Sequence, residues 1–215
     1  FQGYDATNGY ALWKSDGTTA GTVMVKDTYT GSSTAFGFGP NSLTAVGNTL
    51  FFRGYDSTNA YALWKSDGTT AGTVMVKDTY TGSSGSSSYG PKYLTAVGNT
   101  LFFNGYDSTN KYALWKSDGT TAGTVMVKDT YTEISTFSLT SYGPYQPTAI
   151  GNTLFFQGYD ATNGYALWKS DGTTAGTVMV KDTDPSITNS NLNQLTVVGN
   201  TLFFQGYDAT NGYAL

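Results

Sequence analysis

The sequence predicts an all-β protein of tandem four-stranded antiparallel meanders, arranged as β-propeller-like blades or as an open stack of such blades in a filament. Three observations carry this expectation. The nineteen residues Tyr10 to Thr28 (YALWKSDGTTAGTVMVKDT) recur unchanged from Tyr61, Tyr112 and Tyr165, and Trp13, Trp64, Trp115 and Trp168 mark periods of 51, 51 and 53 residues. A fixed period of this length signals one supersecondary unit stacked on itself. The 215 residues also combine 17 Tyr and 12 Phe with 27 Gly, the mixture of strand formers and turn formers expected of short strands and tight turns. Finally, the acidic residues are 14 Asp and a single Glu, Glu133. Asp favours turns where Glu favours helices.

The elements can be read from the unit that starts at Tyr93. Leu94 to Val97 is a first short strand, and Gly98-Asn99 suits a two-residue type II′ turn with Gly in its first position. Thr100 to Asn104 is the second strand, and Gly105 to Lys111 (GYDSTNK) is a polar turn. Tyr112 to Lys116 is the third strand, Ser117 to Gly123 a longer turn, and Thr124 to Lys128 the fourth strand. Phe102 and Phe103 are neighbours, as are Leu114 and Trp115, and Val125, Met126 and Val127. Adjacent strand residues point to opposite faces, so both faces of each small sheet require cover, which like sheets on either side supply.

The repeats divide the chain at 1–44, 45–95, 96–146, 147–194 and 195–215. The first unit holds the second to fourth strands of a meander and the last unit the first to third, eighteen strands in all. A ring of four blades needs 16 strands and one of five needs 20 at four strands per blade, so edges remain that favour self-association. FQGYDATNGYAL stands both at 1–12 and at 204–215, as expected of a stretch of a longer periodic chain.

Composition narrows the chemistry. Cys and His are absent, which excludes disulfides, thiolate chemistry and imidazole metal sites. The net charge is −4 and Arg53 is the one arginine, so no basic patch for nucleic acid is expected. No apolar run approaches the ~20 residues of a membrane-spanning helix, and no membrane insertion is expected. An enzyme is not expected either: a glycosidase needs two carboxylates with separated pKa values, and Asp16 and Asp27, the obvious pair, belong to turns and strand ends in every repeat.

Asp5 and its equivalents Asp56, Asp107, Asp160 and Asp208, and Asp16 with Asp67, Asp118 and Asp171, present oxygen atoms that calcium accepts. Each turn, however, offers about one carboxylate where calcium takes six to eight oxygens, and Asx turns bonded to their own backbone are the simpler expectation. No cofactor is expected. The repeated Trp sits beside Leu in mid-strand, as a core residue between sheets would. The connections between units vary (residues 28–42, 79–93, 130–147 and 183–194) and carry Phe36, Phe38, Tyr89, Tyr93, Tyr142 and Tyr145. These aromatics are the candidate ligand-face residues, suited to stacking on sugar rings or to tethering the loops. The Ser/Thr-rich runs at 28–34, 79–88 and 130–141 suit O-linked glycans, and the chain has no Asn-x-Ser/Thr sequon.

Ala11 to Val25 (ALWKSDGTTAGTVMV) and its copies closely resemble the ELWxxDGT repeat family of secreted bacterial proteins, through Leu12, Trp13, Asp16, Gly17, Thr18, Gly21 and Thr22. Ala11, Ala62, Ala113 and Ala166 stand where that family has Glu, so no role of that glutamate carries over. The resemblance spans nearly the whole chain. It implies tandem repeats on large extracellular or cell-surface proteins with propeller-like folding, and no defined activity. The functional expectation is a non-enzymatic structural or adhesive segment, fibre-forming through contacts between repeats or sheet edges. The alternative is a multivalent carbohydrate-binding propeller lectin, with glycans as partners.

Overall fold

The structure, a computed structural model, describes residues 1–29, 38–80, 89–130, 143–183, 192–208 and 210–215. Among them are eighteen strands and no helix. The first sheet is β1 (Gln2–Asp5), β2 (Gly9–Lys14) and β3 (Val23–Lys26). The second is β4 (Asn41–Val46), β5 (Thr49–Asp56), β6 (Ala60–Ser66) and β7 (Val74–Lys77). The third is β8 (Lys92–Val97), β9 (Thr100–Asp107), β10 (Lys111–Ser117) and β11 (Val125–Lys128). The fourth is β12 (Tyr145–Ile150), β13 (Thr153–Asp160), β14 (Gly164–Ser170) and β15 (Val178–Lys181). The fifth is β16 (Asn193–Val198), β17 (Thr201–Asp208) and β18 (Gly212–Ala214). Every sheet is an antiparallel meander in chain order. The sequence divisions at 45, 96, 147 and 195 therefore fall inside the first strand of a meander.

Local chemistry accounts for each turn. Val97 pairs with Thr100 around Gly98, whose φ of 56° supplies the positive value a type II′ turn needs in its first position. The next turn is shorter than the sequence suggests. β9 runs through Gly105 and Tyr106 to Asp107, which pairs with Lys111, leaving a loop of three residues. Lys111 has φ 60°, the left-handed residue that ends such a loop. Gly105 belongs to the strand for a tertiary reason: a Cβ there would lie 2.6 Å from Trp115 Cδ1.

The turn between β10 and β11 closes on its own hydroxyls. Thr124 Oγ1 donates to the Thr120 carbonyl at 2.6 Å, so in its 2.7 Å contact with Ser117 Oγ it is Ser117 that donates. Ser117 Oγ accepts from Gly119 N–H at 3.0 Å, and Thr120 Oγ1 accepts from Gly123 N–H at 2.9 Å. Ser117 and Thr124 are fully buried, and mutual hydrogen bonding is what makes that affordable for hydroxyls.

Sheets stack face to face, and β4, β8, β12 and β16 lie side by side along the stack. One boundary core joins Val46, Phe51, Leu63 and Val76 of the second sheet to Leu101, Phe103, Ala113 and Trp115 of the third. The next joins Val97, Phe102, Leu114 and Val127 of the third to Leu154, Phe156, Ala166 and Trp168 of the fourth. Phe102 and Phe103 thus serve different boundaries, as do Leu114 and Trp115. Each fully buried Phe or Leu contributes about 1.5–3 kcal/mol. The expectation of cover on both faces fails for Val125 and its equivalents, which stay exposed. A register shift between Leu114 and Trp115 pairs Trp115 with Met126 and leaves Val125 at the strand end beside Lys116.

Polar bonds repeat at each boundary. Lys77 Nζ donates to the Thr124 carbonyl at 2.8 Å and lies 5.7 Å from the Trp115 ring, while Thr121 Oγ1 donates to the Val76 carbonyl at 2.8 Å. Lys26, Thr73, Trp64 and Thr70 repeat this arrangement one unit earlier, and Lys128, Thr177, Trp168 and Thr174 one unit later.

Candidate functional site

The described ends of the variable connections and the turns of the second hairpin in each meander share one side of the stack. There, Tyr residues directly opposite on paired strands meet edge to face: Tyr55 and Tyr61 at 4.9 Å, and Tyr106 and Tyr112 at 4.9 Å. Such aromatic pairs add about 0.5–1.5 kcal/mol beyond the area they bury. Burial, then Tyr106 and Tyr89, push the Tyr112 hydroxyl up to about 12.

Onto these pairs the connections dock their own rings. Phe38 stacks on Tyr29 at 5.1 Å and meets Tyr55 at 4.5 Å. Tyr89 meets Tyr80 at 4.5 Å and Tyr106 at 4.6 Å. Of the two roles expected for these aromatics, the geometry of Phe38 and Tyr89 is that of tethers. The following glycine makes the docking possible: a Cβ on Gly90 would lie 2.5 Å from both Arg53 Nε and Tyr61 Cβ.

Tyr93 and Tyr145 are placed differently. They lie in strands β8 and β12, not in loops, at 40% and 38% exposure, with rings 5.2 Å apart and nearly perpendicular. Tyr93 has φ 55° at a bulge between Lys92 and Thr95, a conformation shared by Ser42, Gln146 and Gln194. The sequence carried no sign of it, because a left-handed Tyr or Gln is uncommon. Phe36 and Tyr142 lie outside the described residues. Of the six candidate aromatics, the structure thus brings together Tyr93 and Tyr145.

Two cations pack against the rings of the strand-paired tyrosines. The Arg53 guanidinium lies 4.0 Å from the Tyr61 ring centroid and Lys92 Nζ lies 5.1 Å from that of Tyr112. Burial, and secondarily the charge of Arg53, lowers the pKa of Lys92.

The aspartates are occupied by their own turns. Asp107 Oδ1 accepts from the N–H groups of Thr109 and Asn110 at 2.8 and 2.7 Å, and both its oxygens accept from Asn110 Nδ2. Asp118 Oδ1 accepts from Thr120 N–H and Oγ1 at 2.8 Å each, which holds its carboxyl below the usual range. Among the described residues, no three acidic side chains gather as a metal site would require. Asp16 lies before β3 and Asp27 after it. Thr18 lowers the pKa of Asp16 and burial raises that of Asp27. Their pKa values diverge, but a strand lies between the two groups.

The fold and this surface define a class, an array of stacked meanders carrying an aromatic side. No family model matches the chain, and no curated protein matches it.

Proposed function

We propose that this chain is a non-enzymatic structural or adhesive segment of a long extracellular or cell-surface protein, with sheet-on-sheet stacking as its means of extension. One observation carries the reading. Successive boundaries reuse the same residues in the same geometry, down to the lysine that reaches a carbonyl of the next sheet at 2.8–2.9 Å. A boundary that can be repeated without redesign suits a protein whose work is to span distance, since each unit needs only its neighbours.

Two features support a non-catalytic role. The carboxylates that the sequence offers as an acid–base pair stand at opposite ends of one strand. The aromatics Phe38 and Tyr89 hold connections down. The resemblance to secreted tandem-repeat proteins agrees with placement outside the cell. Electron microscopy of the purified full-length protein tests the proposal. Extended arrays with a regular sheet-to-sheet repeat are the expected images, and discrete small closed rings would overturn it.

A further inference from the structure

The side of the stack opposite the aromatic connections carries a second kind of surface, formed of residues that recur in the repeats, with Ile150 standing where Val46 and Val97 do. Between the third and fourth sheets a cleft of about 410 Å³ opens there, with Val97 and Phe102 as its apolar floor. Its polar walls come from three turns and one strand: Asn99, Asn152, Asp171 and Lys116. We propose that this cleft is a binding site for a neutral saccharide, repeated at successive sheet boundaries. The proposal goes beyond the structural reading above and stands or falls separately from it.

The chemistry of the walls selects the ligand class. A sugar hydroxyl both donates and accepts, so it is matched by a mixture of acceptor and donor groups. Asp171 is an exposed acceptor kept ionised: Thr173 Oγ1 and Thr173 N–H donate to its Oδ1 at 2.7 and 2.8 Å, its own N–H adds to them, and the carboxylate retains further lone pairs. The carboxamides of Asn99 and Asn152, exposed at their turn tips, offer both a donor and an acceptor. Lys116 Nζ is positioned by its 2.8 Å bond to the Gly172 carbonyl and retains further N–H groups. One ammonium and one carboxylate offset each other, which favours a neutral ligand over an anionic one. The volume falls in the range of small-ligand clefts, about 300–1,000 Å³.

Gly172 shapes the floor. It has φ 87°, and a Cβ on it would lie 3.1 Å from Phe102 Cζ and 3.7 Å from Lys116 Cδ. Any side chain at 172 would press on the ring and the lysine stem that form the cleft. The boundary one unit earlier repeats this construction: a Cβ on Gly119 would meet Phe51 Cζ at 3.2 Å and Lys65 Cδ at 3.7 Å. There Asn48, Asn99 and Asp118 take the places of Asn99, Asn152 and Asp171. In the proposed repeat Asn99 serves both boundaries, and a protein with several such sites gains avidity from weak individual ones.

Saturation-transfer NMR on the 215-residue chain tests the site, with glucose, galactose, mannose and N-acetylglucosamine as neutral probes and glucuronate as the anionic one. Transfer to at least one neutral sugar is expected. The Asn99→Ser/Asn152→Ser variant, in which serine still suits the turn, should bind that sugar on the order of tenfold more weakly, the effect of one lost hydrogen bond. Its melting temperature should equal that of the parent, and sugar-induced amide shifts in the parent should cluster at Gly98 to Thr100 and at Gly172, with the equivalents Gly47 to Thr49 and Gly119 at the boundary one unit earlier. If the variant fails to fold, the position of those shifts in the parent decides the question. Silence from every neutral sugar, transfer to glucuronate alone, or shifts centred elsewhere would overturn the proposal. So would loss of transfer on Tyr93→Ala with none on the double variant, which would place binding on the aromatic side.

Discussion

Phe102 and Phe203 hold the same place in the repeat, yet Phe102 is 3% exposed and Phe203 42%. Val97 and Val198 differ further, at 6% and 63%. The first of each pair sits at an inner boundary and the second on the outer face of the fifth sheet. Identical sequence therefore produces a core residue or a surface residue according to whether another sheet lies against it. Burial here belongs to the boundary and not to the unit, which is the condition for stability that grows by nearest-neighbour terms.

The largest expected effect that could break this comparison is at tryptophan. Trp115→Ala, at an inner boundary, should cost about 3–5 kcal/mol, read as a lower urea midpoint. Trp13→Ala, in the first sheet, should cost less than half as much, because no sheet lies on its outer side. Equal losses would mean that the indole works mainly within its own sheet.

Glycine tests the part that stays within one sheet: the indole over Gly105 comes from the paired strand, and a Cβ on Gly3 in the first sheet would meet Trp13 Cδ1 at the same 2.6 Å. Gly105→Ala forces a methyl to 2.6 Å from Trp115 Cδ1, whereas at Gly206 the nearest atom to the added methyl is Phe204 Cε2 at 3.4 Å. The first substitution should cost about 1–3 kcal/mol and the second close to nothing by thermal melting. Lysine follows with a smaller effect. Lys77→Met removes the bond to the Thr124 carbonyl and the contact with Trp115, at about 1–2 kcal/mol. Lys181→Met alters an exposed side chain and should leave the denaturation midpoint in place.

The smallest effect concerns pH. Burial raises the pKa of Asp78. A raised pKa means that the favourable contribution is present when the group is protonated, below about 3.9, and is lost as pH rises through the folded-state value. Asp78→Asn keeps an acceptor for the Tyr80 N–H, 2.9 Å away. It should therefore raise the melting temperature slightly at pH 7, and the gain over the parent should vanish near pH 3. A gain that persisted in acid would assign the effect to something other than charge burial.

Much of the fold was legible in the sequence because its signals are local. Gly98-Asn99 announces its hairpin through a backbone preference, and the neighbours Phe102 and Phe103 announce a sheet covered on both faces through strand alternation. The Asx turns at Asp107 and Asp118 were legible for the same reason, since donor and acceptor lie within three residues. Gly105 was misleading: it read as a turn residue and is a strand residue under an indole. The paired rings of Tyr93 and Tyr145, 52 positions apart in the chain, gave no sequence signal, and neither did the cleft that joins Asn99 to Asp171.

By itself the sequence determined the meander, its turns and the need for a neighbour on each face, because hydrogen-bonding preferences and side-chain alternation act over a few residues. Only the tertiary structure decided which of the identical units are buried, which loop aromatics become tethers and where polar groups from three different turns converge. Those outcomes depend on how one sheet is set upon the next, a relation between residues about fifty positions apart that no local preference encodes.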